Sequence, residues 1–143
     1  MKIKKIFLLA MLSGTLVSVG TLTNPANASA HTWWDGTPTN VRGYWRTRQV
    51  YIPAYGFSTH AAFKAKSHSV TFAYTQAAPF QLTNTYWRKT GAHSYTIHGA
   101  WAADYGVDHR LTVKKLSKNV IRIYIDGSRS TKSTPFPNKF YRG

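Results

Sequence analysis

Asp104 and Asp108 lie among Trp101, Tyr105 and His109. Two carboxyls beside aromatic rings are the equipment of a glycan-cleaving site, one serving as acid and the other as base or nucleophile. The same residues suit a polar loop, because an Asp side chain hydrogen-bonds neighbouring backbone in turns. Nothing else in the chain reinforces the catalytic option, so the expectation is a loop and no enzyme. The absence of Cys excludes thiol chemistry, and no Gly-x-Ser-x-Gly elbow presents a serine. His60, His68, His93, His98 and His109 lack the short spacings of a metal site, and no Cys joins them. In an unbroken strand His93 and His98 point to opposite faces. No metal and no cofactor are expected.

The cations carry a stronger signal. The chain has 19 Lys and Arg against four Asp and no Glu. Excluding Lys2, Lys4 and Lys5 leaves 16 Lys and Arg, a net charge of +12 for His31 to Gly143. Solubility charge usually mixes both signs, whereas a field of one sign attracts polyanions and steers them to the surface. Arg46, Arg48, Lys64, Lys66, Lys114 and Arg122 alternate with apolar residues, so they are expected on an outer face as the candidate anion-binding set.

The compartment follows from the N-terminus. Met1-Lys2-Ile3-Lys4-Lys5 is a short basic start, an apolar run extends from Ile6 to about Val19, and Ala28-Ser29-Ala30 precedes His31. This is the layout of a secretory signal peptide. Ser13, Gly14, Thr15 and Ser18 interrupt the apolar run, which falls short of the roughly 20 residues that span a bilayer. The expected organisation is a signal peptide over 1–30, a lead-in segment over 31–42 and one domain over 43–143, with no membrane span. An exported domain meets walls and glycans far more than nucleic acid.

The elements that must position these residues are strands. Short alternating runs rich in Thr, Val, Ile and aromatics, broken by Gly, Pro, Asn and Ser, predict about eight: near 43–52, 59–66, 69–75, 82–89, 93–99, 109–115, 120–126 and 138–142. Such spacing predicts a single small antiparallel up-and-down β-barrel, with a β-sandwich as the alternative. Without disulfides the core must hold by packing, and twenty aromatic residues after position 30 supply it. Phe63, Phe72, Tyr74, Tyr95, Ile97, Leu111, Val113, Ile121, Ile123 and Ile125 are expected inside. Trp33 and Trp34 are available as a lid or plug.

Register can be read in two hairpins, because inward faces must match. A Ser67-His68 turn pairs Ala65 with Val70, Phe63 with Phe72 and Ala61 with Tyr74. A three-residue loop, Ser117-Lys118-Asn119, with Asn119 left-handed, pairs Val113 with Ile123 and Leu111 with Ile125. It sets Lys114 opposite Arg122, a like-charge pair costing roughly 0.2–1 kcal/mol. A third hairpin leaves two registers open: a Thr90-Gly91 turn puts Tyr86 on the face of Tyr95, and one more loop residue puts Trp87 there. Asp126-Gly127 reads as a turn.

Gly43-Tyr44-Trp45 at the first strand, the strand count and the Tyr141-Arg142 ending resemble the lipocalin-type (calycin) barrel. The resemblance implies that Trp45 lies across a closed barrel end and that Arg142 stacks on it. The chain is shorter than a typical lipocalin, lacks its C-terminal helix and has no clean Thr-Asp-Tyr motif. Trp34-Asp35-Gly36-Thr37-Pro38 with Arg42-Gly43-Tyr44-Trp45 is also similar to small, uncharacterised secreted proteins of Gram-positive lactic acid bacteria. That likeness implies an extracellular or wall-associated life. The expected function is a secreted, non-enzymatic binding module held to anionic cell-wall polymers or acidic glycans. The alternatives are a barrel carrying a small apolar ligand and a secreted antibacterial or interaction protein.

Overall fold

The computed structural model describes residues 32–143, so the expected signal peptide lies outside the described residues. One compact unit runs from Trp33 to Gly143. Among the described residues no helix is long and apolar enough to cross a membrane.

The alternating runs form strands as the sequence predicts. In chain order they are β1 (Trp34–Asp35), β2 (Gly43–Arg46), β3 (Val50–Ile52), β4 (Phe57–Thr59), β5 (Ala62–Ala65), β6 (Ser69–Ala73), β7 (Phe80–Gly91), β8 (Ser94–Trp101), β9 (Val107–Ser117), β10 (Val120–Ile125), β11 (Ser128–Arg129) and β12 (Phe140–Arg142). A single 3₁₀ turn, Ala102–Asp104, separates β8 from β9. Strands β2, β5, β6, β7, β8, β9, β10 and β12 pair in that order, and β12 returns to β2 to close an eight-stranded antiparallel barrel. The turns at Ser67-His68, Ala92-His93 and Lys118-Asn119 lie at one end. The connections 47–61, 74–79, 102–106 and 126–139 lie at the other.

Closure rests on a two-residue seam, where Tyr141 pairs with Arg46 and Arg142 with Trp45. Trp45 is fully buried, and its indole N–H donates to the Val41 carbonyl at 2.8 Å. The Arg142 guanidinium lies 4.2 Å from the indole ring centroid and donates to the carbonyls of Arg42 and Asn40. Gly43 sits at φ +124°, and a Cβ there would meet Arg142 Nη1 at 3.1 Å. A side chain at this position would thus strain the backbone and crowd the guanidinium.

The interior is filled. Trp45, Phe63, Leu82, Ile97, Leu111, Ile121, Ile123 and Phe140 are among its fully buried side chains. The ten residues expected inside are all in the core or packed against it. An eight-stranded barrel interior is just wide enough for side chains or one small ligand, and these large side chains line it. Phe136, from the segment between β11 and β12, packs on Tyr74 at the end away from the Ser67-His68 turn.

Four local expectations need correction. The strand over 43–52 is broken: after Arg46 the chain leaves the barrel, and Val50–Ile52 pairs instead with Phe57–Thr59 as a separate hairpin. The Val113–Ile123 and Leu111–Ile125 pairs hold, as do Phe63–Phe72 and Ala65–Val70. Yet Asn119 is not among the residues with positive φ. Ser117 pairs with Val120 and Lys115 with Ile121, so a bulge at Leu116 absorbs the odd residue around a two-residue turn. The third hairpin turns at Ala92-His93, which sets Trp87 beside Ile97 and Tyr95 and leaves Tyr86 outside, stacked on His98. Finally, Trp33 and Trp34 are neither lid nor plug. Strand β1 pairs with β7, and its indoles lie partly exposed against Tyr86, His98 and Trp87.

The seam generates a prediction. In a double-mutant cycle of Trp45→Leu and Arg142→Gln, urea unfolding should give a coupling of about 0.5–2 kcal/mol, the worth of a partly desolvated cation–π contact. Additive losses would show that the two residues act independently.

Candidate anion-binding surface

Each of the four Asp side chains is engaged by a histidine. His68 Nε2 lies 3.0 Å from Asp35, and His98 Nδ1 lies 2.5 Å from Asp108. His109 is held from both sides, Nε2 at 2.6 Å from Asp104 and Nδ1 at 2.7 Å from Asp126. Among the described residues no Lys or Arg has a carboxylate within 4 Å.

The six cations named from the sequence are all exposed. They lie on, or just beyond, β5 and β2 on one side of β12, and β10 and β9 on the other. Alternation explains this, because Trp45, Phe63, Ala65, Val113, Ile121 and Ile123 take the inner face and push their neighbours outward. Lys64 sits opposite Tyr44, two pairs along from Arg46. Lys114 sits opposite Arg122, the like-charge pair expected from the sequence. The Lys114 ammonium lies 5.1 Å from the Tyr124 ring centroid, a cation–π contact that offsets part of that repulsion. Lys66 stands at the hairpin turn, two residues beyond Lys64 and exposed like it.

Arg46 and Arg48 come together. With Thr47, Gln49 and Tyr141 they line a surface cleft of about 350 Å³. The Arg48 guanidinium lies 5.4 Å from the Tyr141 ring centroid, which holds it at the cleft wall. The cleft exists because the seam brings Tyr141 against Arg46. Sequence reasoning missed Tyr141 and Gln49 as lining residues, for no local pattern ties residue 141 to residue 46. Two guanidinium forks, two amide- or hydroxyl-bearing side chains and an aromatic face suit a phosphate or carboxylate on a polymer.

The carboxylates expected as a catalytic option are parted by the fold. Asp108 accepts hydrogen bonds from His98 and from the Tyr86 hydroxyl at 3.1 Å. Burial first, and then Asp108, push the Tyr86 phenol above its ordinary range. Trp33 covers this group by its edge contacts, with the Arg88 guanidinium 4.7 Å from the Trp33 ring centroid. Asp104 instead reaches His109 at the barrel end, beside Trp101 and Phe80. Among the described residues no group of three or more His, Asp or Glu has the arrangement to hold a metal ion.

His109 is the tightest polar feature. A neutral imidazole has one N–H donor, so two carboxylate acceptors demand the charged ring. Hydrogen bonds to Asp126 and then Asp104 accordingly raise its pKa above the ordinary value of 6.5. Burial opposes the charge of Asp126, but the Arg110 backbone N–H at 3.0 Å and the His109 ring hold its pKa below the usual range. With both nitrogens donating, the ring has no lone pair to act as a base. Sequence reasoning saw Asp126-Gly127 only as a turn, which it is, with both residues at positive φ. Its side-chain role depends on β9 lying beside β10.

The sign of the pH effect follows. The folded pKa of His109 is raised, so its stabilisation is fully present below about pH 6.5 and is lost as pH rises through the higher folded value. The lowered Asp126 pKa makes the complementary loss on the acid side, below its ordinary range. The melting temperature of the wild type minus that of His109→Gln should therefore shrink as pH rises above about 6.5. A difference that stays constant from pH 5.5 to about 9 would contradict the charged clamp.

Comparison with known proteins finds no family model, no curated protein and no solved structure that matches this chain.

Proposed function

We propose that this protein is an exported, non-enzymatic binding module held electrostatically to anionic cell-wall polymers or acidic glycans. One observation carries the reading: histidines occupy all four carboxylates, leaving the Lys and Arg side chains without an internal acidic partner. A cation on a protein surface normally finds mixed-sign neighbours. Here Arg46 and Lys64 lie on the outer face of β2 and β5, and Lys114 and Arg122 on that of β9 and β10. Arg46 and Arg48 line one cleft that suits a bidentate grip. Export is supported by the basic, apolar and Ala-x-Ala layout over 1–30. The alternative of an apolar ligand inside the barrel is disfavoured by the side chains that fill it.

Binding of this kind weakens with salt, because bound cations release counterions from the polymer. By analogy with single-stranded nucleic acid, each contact adds about 0.7 to the slope of log affinity against log salt. Retention of the chain starting at His31 on isolated Gram-positive walls should fall steeply with sodium chloride. Arg46→Gln with Arg48→Gln should lower the slope by about 1.4, roughly 25-fold per decade of salt. Walls stripped of their phosphate polymers should retain less protein. Retention unchanged up to about 1 M salt would overturn the proposal, since the Debye length there is only about 3 Å.

A further inference from the structure

The hairpin of β3 and β4 stands apart from the barrel sheet and is the least explained element of the fold. Its strands pair only with each other, through Val50–Thr59, Tyr51–Ser58 and Ile52–Phe57. The ten residues from Val50 to Thr59 include no charged side chain. Tyr51 is 60% exposed and Phe57 46% exposed, and the Tyr55 ring lies 5.7 Å from Phe57. Tyr55 and Phe57 form one aromatic pair, and Tyr51 stands on the other face of the hairpin opposite Ser58. Exposed apolar side chains gathered on one uncharged element mark an interaction site.

The hairpin is nevertheless a defined object. Val50 at the root and Ile52 beside the turn both pack against the core, which holds the hairpin along one side. At the tip the N–H groups of Tyr55 and Gly56 both donate to the Ile52 carbonyl at 3.0 Å, so these backbone groups are satisfied internally. Such a tip can enter a region poor in water at little polar cost. Immediately before the hairpin come Arg46, Thr47, Arg48 and Gln49, the cleft residues. Exposed aromatics on an uncharged hairpin and guanidinium groups just before it form a two-part pattern. Soluble polymers need only the second part. An anionic bilayer surface uses both, since aromatic rings favour the headgroup level and cations pair with lipid phosphates.

We propose that the β3–β4 hairpin is an interfacial anchor for an anionic lipid surface, with Tyr51, Tyr55 and Phe57 entering the headgroup region and Arg46 and Arg48 meeting lipid phosphates. This goes beyond polymer binding and shares only the two arginines with it. Docking is peripheral: peripheral association scales with buried apolar area plus attraction to anionic lipid.

The test uses the chain starting at His31, which contains the whole compact unit and leaves out the apolar 1–30 segment. Vesicles of phosphatidylglycerol and phosphatidylcholine in equal parts should sediment the protein, and pure phosphatidylcholine vesicles should do so far less. Each cation near an anionic leaflet is worth roughly fivefold in partitioning, so Arg46→Gln with Arg48→Gln should cost about 25-fold. Tyr51→Ser with Phe57→Ser should cost about tenfold or more on vesicles and leave retention on isolated walls unchanged. The chain has no Cys, so Ser58→Cys offers a unique labelling point beside Tyr51. An environment-sensitive dye there should shift to the blue with anionic vesicles, independently of any effect of the serine variants on folding. No blue shift, or sedimentation undiminished in the serine variant, would overturn the proposal. Binding to walls without binding to vesicles would overturn it and leave the polymer reading standing. Vesicle binding without wall retention would do the reverse.

Discussion

Everything in this fold hangs on the seam between the first and last barrel strands. Only two residue pairs join them, and a short seam of this kind needs reinforcement. Trp45 and Arg142 supply it from inside and above, the indole buried and the guanidinium over its face. The same guanidinium donates to two carbonyls before β2, so one side chain ties the C-terminus to the start of the barrel. Barrel closure removes the exposed strand edges that an open sheet would have to protect. It also supplies the only route by which Tyr141 reaches Arg46.

A second constraint is arithmetic in character. Four carboxylates are shared among three histidines, and the fold spends none on lysine or arginine. The His109 clamp joins the β8–β9 connection to the β10–β11 turn, so at least two carboxylates hold structure together. The consequence is a surface whose positive charge is not internally neutralised. That state raises self-repulsion, a cost that a polyanion or an anionic surface would relieve.

The two binding proposals divide the molecule sensibly. The broad cationic face on β5, β2, β12, β10 and β9 has reach but little shape, which suits a flexible polymer. The cleft and hairpin are local, combining two arginines in one cleft with exposed aromatics on the uncharged element that follows. Their shared arginines make the two modes neighbours without making them one.

How much was legible in the chain follows from the range of each signal. Alternation has a period of two and is local, so Phe63 against Phe72 and Val113 against Ile123 could be read directly, as could the outward turn of Lys114 and Arg122. The excess of cations was equally plain, for composition needs no fold. The break after Arg46 was harder, because Thr47, Arg48 and Gln49 continue an alternating pattern while Pro53 and Gly56 mark the turn that diverts it. The bulge at Leu116 escaped for a related reason: a turn plus a bulge and a longer loop give the same inward faces.

Tertiary structure decided the rest, since it concerns residues with no short-range relation. Arg142 meets the Arg42 carbonyl across 100 positions, and Asp126 meets His109 across 17. Which carboxylate finds which histidine, which arginines share a cleft with Tyr141, and where the aromatic hairpin projects all depend on strand order around a closed barrel. The sequence by itself determined faces and charge, because both are written residue by residue. Neighbourhood came only from closure, which is a property of the whole sheet.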